Sequence, residues 1–458
     1  MTRIALDCRS VGAGGIGRAT LELARELPRW LAPGGGLVLL SGGRDPTATG
    51  LAELARAPGV ELVETGAAPI DPAFEQVALP GLLRAHAIDL VHVPCFTLPL
   101  AADRVARVST VHDVVFRRHP ELVDPWLREH LDHATGLACR QADALVTVSR
   151  FSQAELAACY GVAPERVDVV PNGVSPRFAA LAARRDAAVR SGLPAGGPDG
   201  ALGHGPPYLL YAGSLEAKKN VAGLCRAFGA LLELAPDLAH VLVLAGGTGG
   251  QAFDLERALA AAGPARSRVL ALGHVPDDQL DDLYVRASAF LYLSRYEGFG
   301  LPPLEAMAAG VPTVVARTSS LPEVVGDGAL LVDPDDPVAV ARALLGLLDD
   351  PGRQAELVRR GRARAAERTW AEAARLHVAV YRRALERRDR RLAARPPRAP
   401  ALPVPALPLH AAPSVPPALP VPAAPSAPPA GASIKSRHLT RLGAGPERGL
   451  DGRRVSDV

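Results

Sequence analysis

Two glutamates, Glu297 and Glu305, are separated by seven residues in a stretch that passes from a glycine-bearing turn into a predicted helix. The apolar run of residues 289–293 before them predicts a buried strand of a parallel sheet, and the two prolines between them suit a first helical turn. The intervening glycines let the backbone approach a ligand closely, while the helix start attracts anions. This layout suits a sugar nucleotide, with the diphosphate at the helix start and a carboxylate accepting hydroxyl hydrogen bonds on either side.

Taken alone, the pattern also fits an ordinary strand, turn and helix that bind nothing. Residues 297–312 read EGFGLPPLEAMAAGVP, however, and resemble the E-G-F-G-L-P-x-L-E-A-M-A-x-G-x-P pattern of the retaining glycosyltransferases of family 4. The resemblance continues in residues 320–326 and 331–334, and it covers roughly residues 3–388.

The resemblance implies a donor site for a nucleotide sugar around these glutamates. Glu305 is implied to hold the ribose hydroxyls and Glu297 the sugar hydroxyls. The residues between them that are implied to border the donor are Phe299, Gly300 and Leu301.

Short apolar runs alternate with helical patterns on both sides of a Gly- and Pro-rich stretch near residues 194–207. Two doubly wound parallel sheets are the simplest interpretation of an α/β chain with this alternation. Two Rossmann-like domains facing a cleft form the GT-B fold, which the resemblance also implies. The predicted strands span residues 3–6, 37–40, 90–93, 105–111, 144–148, 208–212, 240–245, 269–272, 289–293 and 313–316.

These patterns divide the chain into five predicted parts. Residues 1–178 form an acceptor-side domain, residues 179–207 a linker, and residues 208–369 the domain that binds the nucleotide sugar. Residues 370–389 are predicted to form a helix that returns to the first domain, and residues 390–458 a disordered tail.

A glycine-rich loop follows the first predicted strand, where residues 14–18 read GGIGR and open a helix. Glycine in this position lets the backbone approach a phosphate or an acceptor hydroxyl, although the pattern also fits a helix entry without a ligand. In the family this loop borders the donor diphosphate and the acceptor. The resemblance therefore implies that role for Gly15, Gly17 and Arg18.

Residues 110–121 read TVHDVVFRRHPE and place His112 just past a buried strand, at the edge where open α/β sheets bind ligands. A histidine at a strand end is more often structural. The sequence pattern resembles that of the mannosyltransferase-like branch of family 4, in which this histidine faces the transferring sugar. The resemblance implies that His112 positions the sugar and stabilises charge near its anomeric carbon.

Residues 211–221 read YAGSLEAKKNV and resemble the family loop that grips the donor phosphates, here with Gly213 at its start. A preorganised lysine aimed at the departing diphosphate stabilises the transition state more than the ground state, and Lys219 is the first candidate. Many family members carry arginine where Ser214 stands. Either Ser214 donates a neutral hydrogen bond or Lys218 supplies the charge, and the sequence leaves both open.

No metal and no other cofactor are expected beside these cations, and metal-independent transfer is what the resemblance implies. The DxD string of residues 333–335 is interpreted as a turn before a helix. No cluster of His and Cys has zinc-ligand spacing.

The chain has 458 residues, of which 48% are hydrophobic and 4% aromatic, enough for two domains packed mostly by alanine and leucine. Its five cysteines are scattered, which favours a reducing compartment over a disulfide framework. The chain enters its first predicted strand directly after Met1-Thr-Arg, and no apolar run has the length of a membrane span. These features predict a cytoplasmic protein and leave open a peripheral contact with the inner face of a membrane.

Charge and proline content separate the end of the chain from the rest. Residues 391–458 carry nine Lys and Arg against three Asp and Glu, which leaves 42 against 45 for residues 1–390 and argues against a nucleic-acid partner. Residues 396–430 contain 14 prolines and predict an extended, polyproline-like tail. The tail is either simply solvated or docks a partner domain or an anionic membrane.

The resemblance thus implies a retaining hexosyltransferase that moves mannose from GDP-mannose to a glycan, glycolipid or lipid-linked acceptor. A glycosidase-like glutamate nucleophile is disfavoured because the family places both glutamates on donor hydroxyls. The alternatives are a UDP-glucose or UDP-GlcNAc donor, a phosphorylase or epimerase of the same fold, and a non-catalytic GT-B scaffold.

Overall fold

The computed structural model describes residues 2–31, 34–43, 45, 47, 49–190, 205–248 and 253–394. The strands are β1 Arg3–Asp7, β2 Gly36–Ser41, β3 Val60–Glu64, β4 Leu90–Val93, β5 Ala106–Thr110, β6 Ala144–Thr147, β7 Val167–Val169, β8 Tyr208–Ala212, β9 Val241–Ala245, β10 Val269–Gly273, β11 Ala289–Tyr292, β12 Thr313–Ala316 and β13 Leu330–Val332. The α-helices are α1 Gly14–Glu26, α2 Leu51–Leu54, α3 Leu79–Ala85, α4 Val115–Arg118, α5 Pro125–Gln141, α6 Arg150–Tyr160, α7 Pro176–Arg190, α8 Val221–Leu234, α9 Leu255–Ala260, α10 Asp277–Arg286, α11 Leu301–Ala308, α12 Leu321–Val325, α13 Pro337–Leu348, α14 Pro351–Ala366 and α15 Trp370–Ala393.

Two parallel sheets confirm the predicted doubly wound architecture. The first has the order β3-β2-β1-β4-β5-β6-β7 and the second the order β10-β9-β8-β11-β12-β13. The strand order reverses between β1 and β4 in the first sheet and between β8 and β11 in the second. Open α/β sheets bind ligands beyond the carboxyl ends of their strands at such reversals, so two neighbouring loop clusters are marked by topology alone.

The sequence did not predict strands β3, β7 and β13, and all three lie at the edge of a sheet. β3 contains two glutamates among its valine and leucine residues and is only partly buried, while β7 and β13 have three residues each. An edge strand is covered on fewer sides than a central one, so its residues need not form the continuous apolar run that identified the others. Neighbouring strands, not local pattern, determine these three.

The connection between the two halves differs from the predicted linker. Residues 179–190, assigned to that linker, belong to helix α7, which packs against α10 and α11 of the second half. Among the described residues four ion pairs hold it there, including Arg177 to Asp277 at 2.5 Å and Arg362 to Asp186 at 2.7 Å. Alanine and arginine are strong helix formers, and that propensity outweighs the nearby glycines. The rest of the linker up to residue 204 lies outside the described residues.

Helix α15 returns to the first sheet and packs against β4, β5, β6 and α1. Its Tyr381 hydroxyl lies 2.8 Å from Nδ1 of His92, whose Nε2 lies 2.8 Å from Oγ1 of Thr110. The helix starts where Gly173 passes so close that a Cβ there would come within 2.2 Å of the Trp370 nitrogen. It extends to residue 393, four residues into the predicted tail, and the remaining tail from residue 395 lies outside the described residues.

Aromatic side chains, scarce in the chain as a whole, gather under the second sheet. Tyr211 and Tyr292 stack with ring centroids 5.7 Å apart, and Phe290 stacks on Tyr292 at 6.1 Å. All three are fully buried. These stacked rings therefore give rigid support to the loops that follow β8 and β11.

Candidate active site

The loop after β11 is held from beneath by the loop that precedes α12. Ser320 Oγ donates to the carbonyl oxygens of Glu297 at 2.9 Å and Phe299 at 2.8 Å, and the Glu297 N–H donates to Ser319 Oγ at 3.0 Å. Gly300 has a φ of +110°, a conformation that glycine adopts without strain, and it caps the start of α11. The chain is thus turned so that Glu297 remains in the loop while Glu305 lies inside the helix.

Glu297 forms a three-membered polar cluster with Lys219 and Tyr292. The Lys219 Nζ lies 2.6 Å from Glu297 Oε1 and 3.0 Å from the Tyr292 hydroxyl, which itself donates to Oε1 at 2.8 Å. Lys219 and Glu297 lie in the segments that follow β8 and β11, which are neighbouring strands at the strand-order reversal. Tyr292 was not predicted, although a tyrosine that ends an apolar strand next to a glutamate is a signal that sequence inspection can find.

Both members of the ion pair are charged at neutral pH. Burial acts to raise the pKa of Glu297, but the charges of Lys219 and Lys218 outweigh it and the pKa is lowered. Burial likewise acts to lower the pKa of Lys219, but attraction to Glu297 raises it. The two shifts agree in direction, so a positive charge sits at the carboxyl edge of the second sheet beside the start of α11.

The remaining predicted residues of the β8 loop shape its backbone. Gly213 has a φ of +149°, and a Cβ at Gly246 would come within 1.8 Å of its carbonyl oxygen, so two glycine strand ends touch here. The carbonyl of Ser214 accepts the Tyr211 hydroxyl at 2.7 Å. Lys218 is more exposed than Lys219, and its Nζ lies 4.0 Å from Glu216. The structure thus brings Lys219 into the cluster and leaves Lys218 at its rim.

The glycine loop after β1 separates into exposed and packed positions. Gly15 is exposed, and a Cβ there would contact nothing within 4 Å. Gly17 is buried, and a Cβ there would come within 2.1 Å of the Ser10 carbonyl oxygen. Gly17 therefore serves close packing of α1 against its own entry loop, whereas Gly15 leaves the helix start accessible. The ligand contacts of both glycines stay predictions.

Arg18 and Glu305 form an ion pair between the two halves of the molecule. The distance from Arg18 Nη1 to Glu305 Oε1 is 2.7 Å, and the side chains are 44% and 4% exposed, respectively. The charge of Glu305 is the main cause that raises the pKa of Arg18. Sequence reasoning placed both residues at the site but did not foresee that they contact each other.

His112 lies at the end of β5 with its ring against the first half. Its Nε2 is 3.1 Å from the Pro94 carbonyl oxygen, so Nε2 carries the proton of the neutral ring. Burial lowers the pKa of His112 although this hydrogen bond acts to raise it. Burial thus favours the neutral ring, and the role of His112 in positioning the sugar and stabilising charge near its anomeric carbon stays a prediction.

The backbone of His112 is a contact point between the two halves. Its carbonyl oxygen accepts the Ser152 hydroxyl at 2.9 Å, and the Gly298 carbonyl accepts the Ser149 hydroxyl at 2.7 Å. Glu323 reaches across as well, because its two carboxylate oxygens accept the N–H groups of Arg150 at 2.9 Å and of its neighbour at 3.1 Å. A carboxylate from the second half thus caps helix α6 of the first, as the helix dipole favours.

The stretch that suggests a mannose branch also touches this loop. The His119 ring packs edge-on against Tyr296 with centroids 5.3 Å apart, and its Nδ1 lies 3.3 Å from Glu121. Tyr296 directly precedes Glu297. These residues therefore support the shape of the β11 loop from the first half.

Residues 333–335 form the predicted turn. Asp333 Oδ1 accepts the Asp335 N–H at 2.9 Å, and Arg295 pairs with Asp335 at 2.6 Å. Within the described ranges no group of three or more His, Cys, Asp or Glu side chains is arranged to hold a metal ion. No helix in the described part of the chain combines the length and apolar character needed to cross a bilayer.

Two parallel sheets of Rossmann type, with sites at their facing carboxyl edges, define the GT-B class of fold. The model for "Glycosyltransferase Family 4" matches residues 13–178, and that for "Glycosyl transferases group 1" matches residues 198–364. The chain belongs to glycosyltransferase family 4, and it is a glycosyltransferase of the mannosyltransferase-like branch.

Two curated relatives illustrate the breadth of that family. The O-antigen chain mannosyltransferase B of Escherichia coli is 33% identical over 288 residues, which cover 63% of this chain and 72% of the relative. The D-inositol 3-phosphate glycosyltransferase of Xylanimonas cellulosilytica is 31% identical over 410 residues, 83% of this chain and 94% of the relative.

Solved structures share the fold at lower identity. The sucrose-phosphate synthase of Thermosynechococcus elongatus has a TM-score of 0.64 at 22% identity, with 83% of this chain and 98% of that chain covered. The Anabaena protein HepE, solved in complex with UDP-glucose, has a TM-score of 0.59 at 20% identity and the same coverage.

Proposed function

We propose that this glycosyltransferase is a retaining, metal-independent hexosyltransferase that transfers mannose from GDP-mannose to a glycan, glycolipid or lipid-linked acceptor. The observation that carries the proposal is the buried cluster of Lys219, Tyr292 and Glu297 beside the start of α11. Among the described residues, two N–H groups of the Lys219 ammonium are used by its two partners. An ammonium has three N–H donors, so one remains for a phosphate oxygen of the donor.

The cluster suits departure of a nucleoside diphosphate. As the bond from the anomeric carbon to the phosphate oxygen breaks, negative charge grows on the diphosphate, and a fixed cation and helix start stabilise it without rearranging. The acceptor hydroxyl oxygen bonds to the same face of that carbon, and its proton passes to the departing phosphate oxygen. No metal ion is required for this charge balance.

Glu297 suits binding of sugar hydroxyls better than nucleophilic attack. Its Oε1 already accepts from Lys219 and Tyr292, and its pKa is lowered. A carboxylate stabilised in this way is a weaker base and a weaker nucleophile. Glu305, inside the helix, is the proposed acceptor for the ribose hydroxyls.

The assignment of GDP-mannose rests on the relative that is named a mannosyltransferase and on the residues around His112 and His119. A UDP-glucose or UDP-GlcNAc donor is the second candidate, because the structural neighbour HepE was solved with UDP-glucose. A scaffold without activity is the third, and the intact charged cluster opposes it.

The donor is tested by isothermal titration of the full-length protein in EDTA with GDP, UDP, ADP and TDP and their common sugar conjugates. Selective binding of GDP and GDP-mannose supports the proposal, whereas a UDP preference moves the donor to the second candidate. Binding of no nucleotide overturns it. Glu305→Ala is expected to abolish binding with an unchanged circular dichroism spectrum, and Glu372→Ala, at a half-exposed position, serves as the matched control.

Retention and the acceptor need product analysis. A panel of labelled mannosides and lipid-linked oligosaccharides is incubated with the donor that binds, and NMR of the new linkage reports its anomeric configuration. A product with the configuration of the donor supports retention; an inverted one contradicts it. The protein is proposed to be cytoplasmic, and co-sedimentation with anionic vesicles tests its contact with the inner face of a membrane. The full chain compared with one that ends at Ala394 tests the tail as the docking element.

A further inference from the structure

The ion pair of Arg18 with Glu305 is built in an unequal way. The Glu305 carboxylate is 4% exposed, while the Arg18 side chain that covers it is 44% exposed. The arginine therefore lies on the solvent side of the pair and the carboxylate on the protein side. Any group that reaches this carboxylate from the solvent meets Arg18 first.

Among the described residues, Arg18 is held by one short contact. Arg18 donates from Nη1 to one carboxylate oxygen, Oε1, at 2.7 Å, so this bond is not bidentate. A guanidinium matches a carboxylate best with two parallel N–H bonds, and a single bond at a half-exposed position is more easily exchanged. The pair is thus close enough to form a definite contact and simple enough to be replaced.

From this geometry we propose that the ribose of the nucleotide and Arg18 compete for the Glu305 carboxylate, so that Arg18 is a specificity-determining residue of the donor site. The inference rests on the proposed function, in which Glu305 binds the ribose. When the nucleotide binds, the two vicinal hydroxyls of its ribose donate to the Glu305 carboxylate in place of the one Arg18 N–H.

The exchange has to be coupled. If Arg18 left alone, a nearly buried carboxylate would lose its partner, and an unsatisfied charged group of this kind is costly. Arg18 therefore leaves when hydroxyls arrive. A ligand without these hydroxyls leaves the ion pair in place, so it loses little binding free energy by lacking them. Arg18 therefore weakens discrimination between ribose and a sugar that lacks both hydroxyls.

The ratio of two dissociation constants isolates this effect. GDP and 2′,3′-dideoxy-GDP share the base and the diphosphate, so the ratio of their Kd values reports only the hydroxyl contacts; UDP and 2′,3′-dideoxy-UDP are titrated in parallel. The full-length protein is compared with Arg18→Met, which keeps the length of the side chain without its charge. Arg18→Lys retains a cation that can still pair with Glu305. Arg25→Met is the matched control, because Arg25 lies on the same helix and pairs with Glu22 at 2.8 Å, away from the site.

The ratio is expected to rise about tenfold in Arg18→Met, which corresponds to removal of roughly one competing hydrogen bond to a charged group. It should stay near the wild-type value in Arg18→Lys and Arg25→Met. An unchanged or smaller ratio in a folded Arg18→Met protein overturns the competition, with the unfolding midpoint of each variant measured alongside. If the wild-type protein binds neither ribonucleotide, the proposed function fails, which is a different outcome.

Discussion

The carbonyl oxygen of His112 occupies the place where a Cβ at position 298 would have to be, at a separation of 2.1 Å. The two residues belong to different halves of the molecule, and Ser152 donates its hydroxyl to the carbonyl oxygens of both, at 2.9 Å and 3.3 Å. The glycine after Glu297 therefore permits direct contact between the backbones of the two domains. The family pattern identifies this glycine, and the contact predicts that the position tolerates no side chain.

Replacement of Gly298 by alanine is expected to force the two loops apart and to reduce kcat/KM at least tenfold, because small displacements of catalytic groups are costly. Steady-state kinetics with the identified donor measures the effect. Gly346→Ala is the control, since a Cβ in that helix would meet only the end of the Arg353 side chain at 3.5 Å. Wild-type kinetics in Gly298→Ala would show that the contact is not needed for activity.

Replacement of Lys219 by methionine removes the charge proposed to stabilise the leaving diphosphate. We expect kcat to fall about 100-fold or more, with a much smaller change in nucleotide affinity, because the charge matters most in the transition state. Lys218→Met is the informative comparison. If Lys218→Met loses more activity than Lys219→Met, the assignment of the two lysines is reversed and Lys218 replaces the arginine that the loop lacks.

Histidine 377 makes the return helix sensitive to acid. Burial lowers the pKa of His377 to about 4, and its Nδ1 lies 2.8 Å from the Ala373 carbonyl oxygen. The unfolded chain takes up this proton near pH 6.5 but the folded protein only near pH 4, so the free energy of unfolding falls as pH drops between these values. For this single site the loss approaches about 3 kcal/mol.

Urea denaturation at pH 7.5 and pH 5 measures that dependence. His377→Phe is expected to lose part of it, while His92, whose pKa burial also lowers, retains its own contribution. His133→Phe, at an exposed position, is the control for the loss of a histidine at the surface. A His377→Phe protein with an undiminished slope would contradict the assignment.

Arg391 anchors the last turn of α15 beyond the predicted boundary of the tail. It donates to both carboxylate oxygens of Asp143, at 3.0 Å and 2.9 Å, and the Asp143 side chain is 5% exposed. Arg391→Met is expected to lower the free energy of unfolding by about 1–2 kcal/mol. The loss is limited because the Asp143 carboxylate still accepts the Arg107 backbone N–H. Arg390→Met, at an exposed neighbouring position, should have little effect on the urea midpoint. Equal midpoints for the two variants would exclude the anchor.

The sequence predicted those elements whose burial is visible as a local run of apolar residues. Of the thirteen strands in the described residues, ten are central or long enough to appear as apolar runs. The loop of Glu297 leads into a helix that its early prolines and the preceding glycine predict. Edge strands β3, β7 and β13 lack that pattern because neighbours rather than composition stabilise them. Helix α7 was assigned to a linker because the glycines and prolines that follow it obscured an alanine- and arginine-rich helix.

At the site, residue types and their spacing were enough to select Glu297, Glu305 and Lys219. A motif identifies residues that contact a ligand because all of them lie within one continuous segment of the sequence. The contacts that assemble these segments were not recognisable, because each joins residues that are far apart in the chain. Tyr292 as the third member of the lysine cluster, Glu323 as the cap of α6 and the neutral state of His112 all depend on which surfaces meet.

The pairing of Arg18 with Glu305 shows the same division most clearly. The sequence by itself determined that an arginine follows a glycine loop and that a glutamate lies in a helix after a turn, since both are local patterns. Only the tertiary structure decided that the two side chains meet and that the arginine covers the carboxylate. The physical reason is that a charge–charge contact depends on distance in space, and the distance between two domains is set by the packing of their whole surfaces.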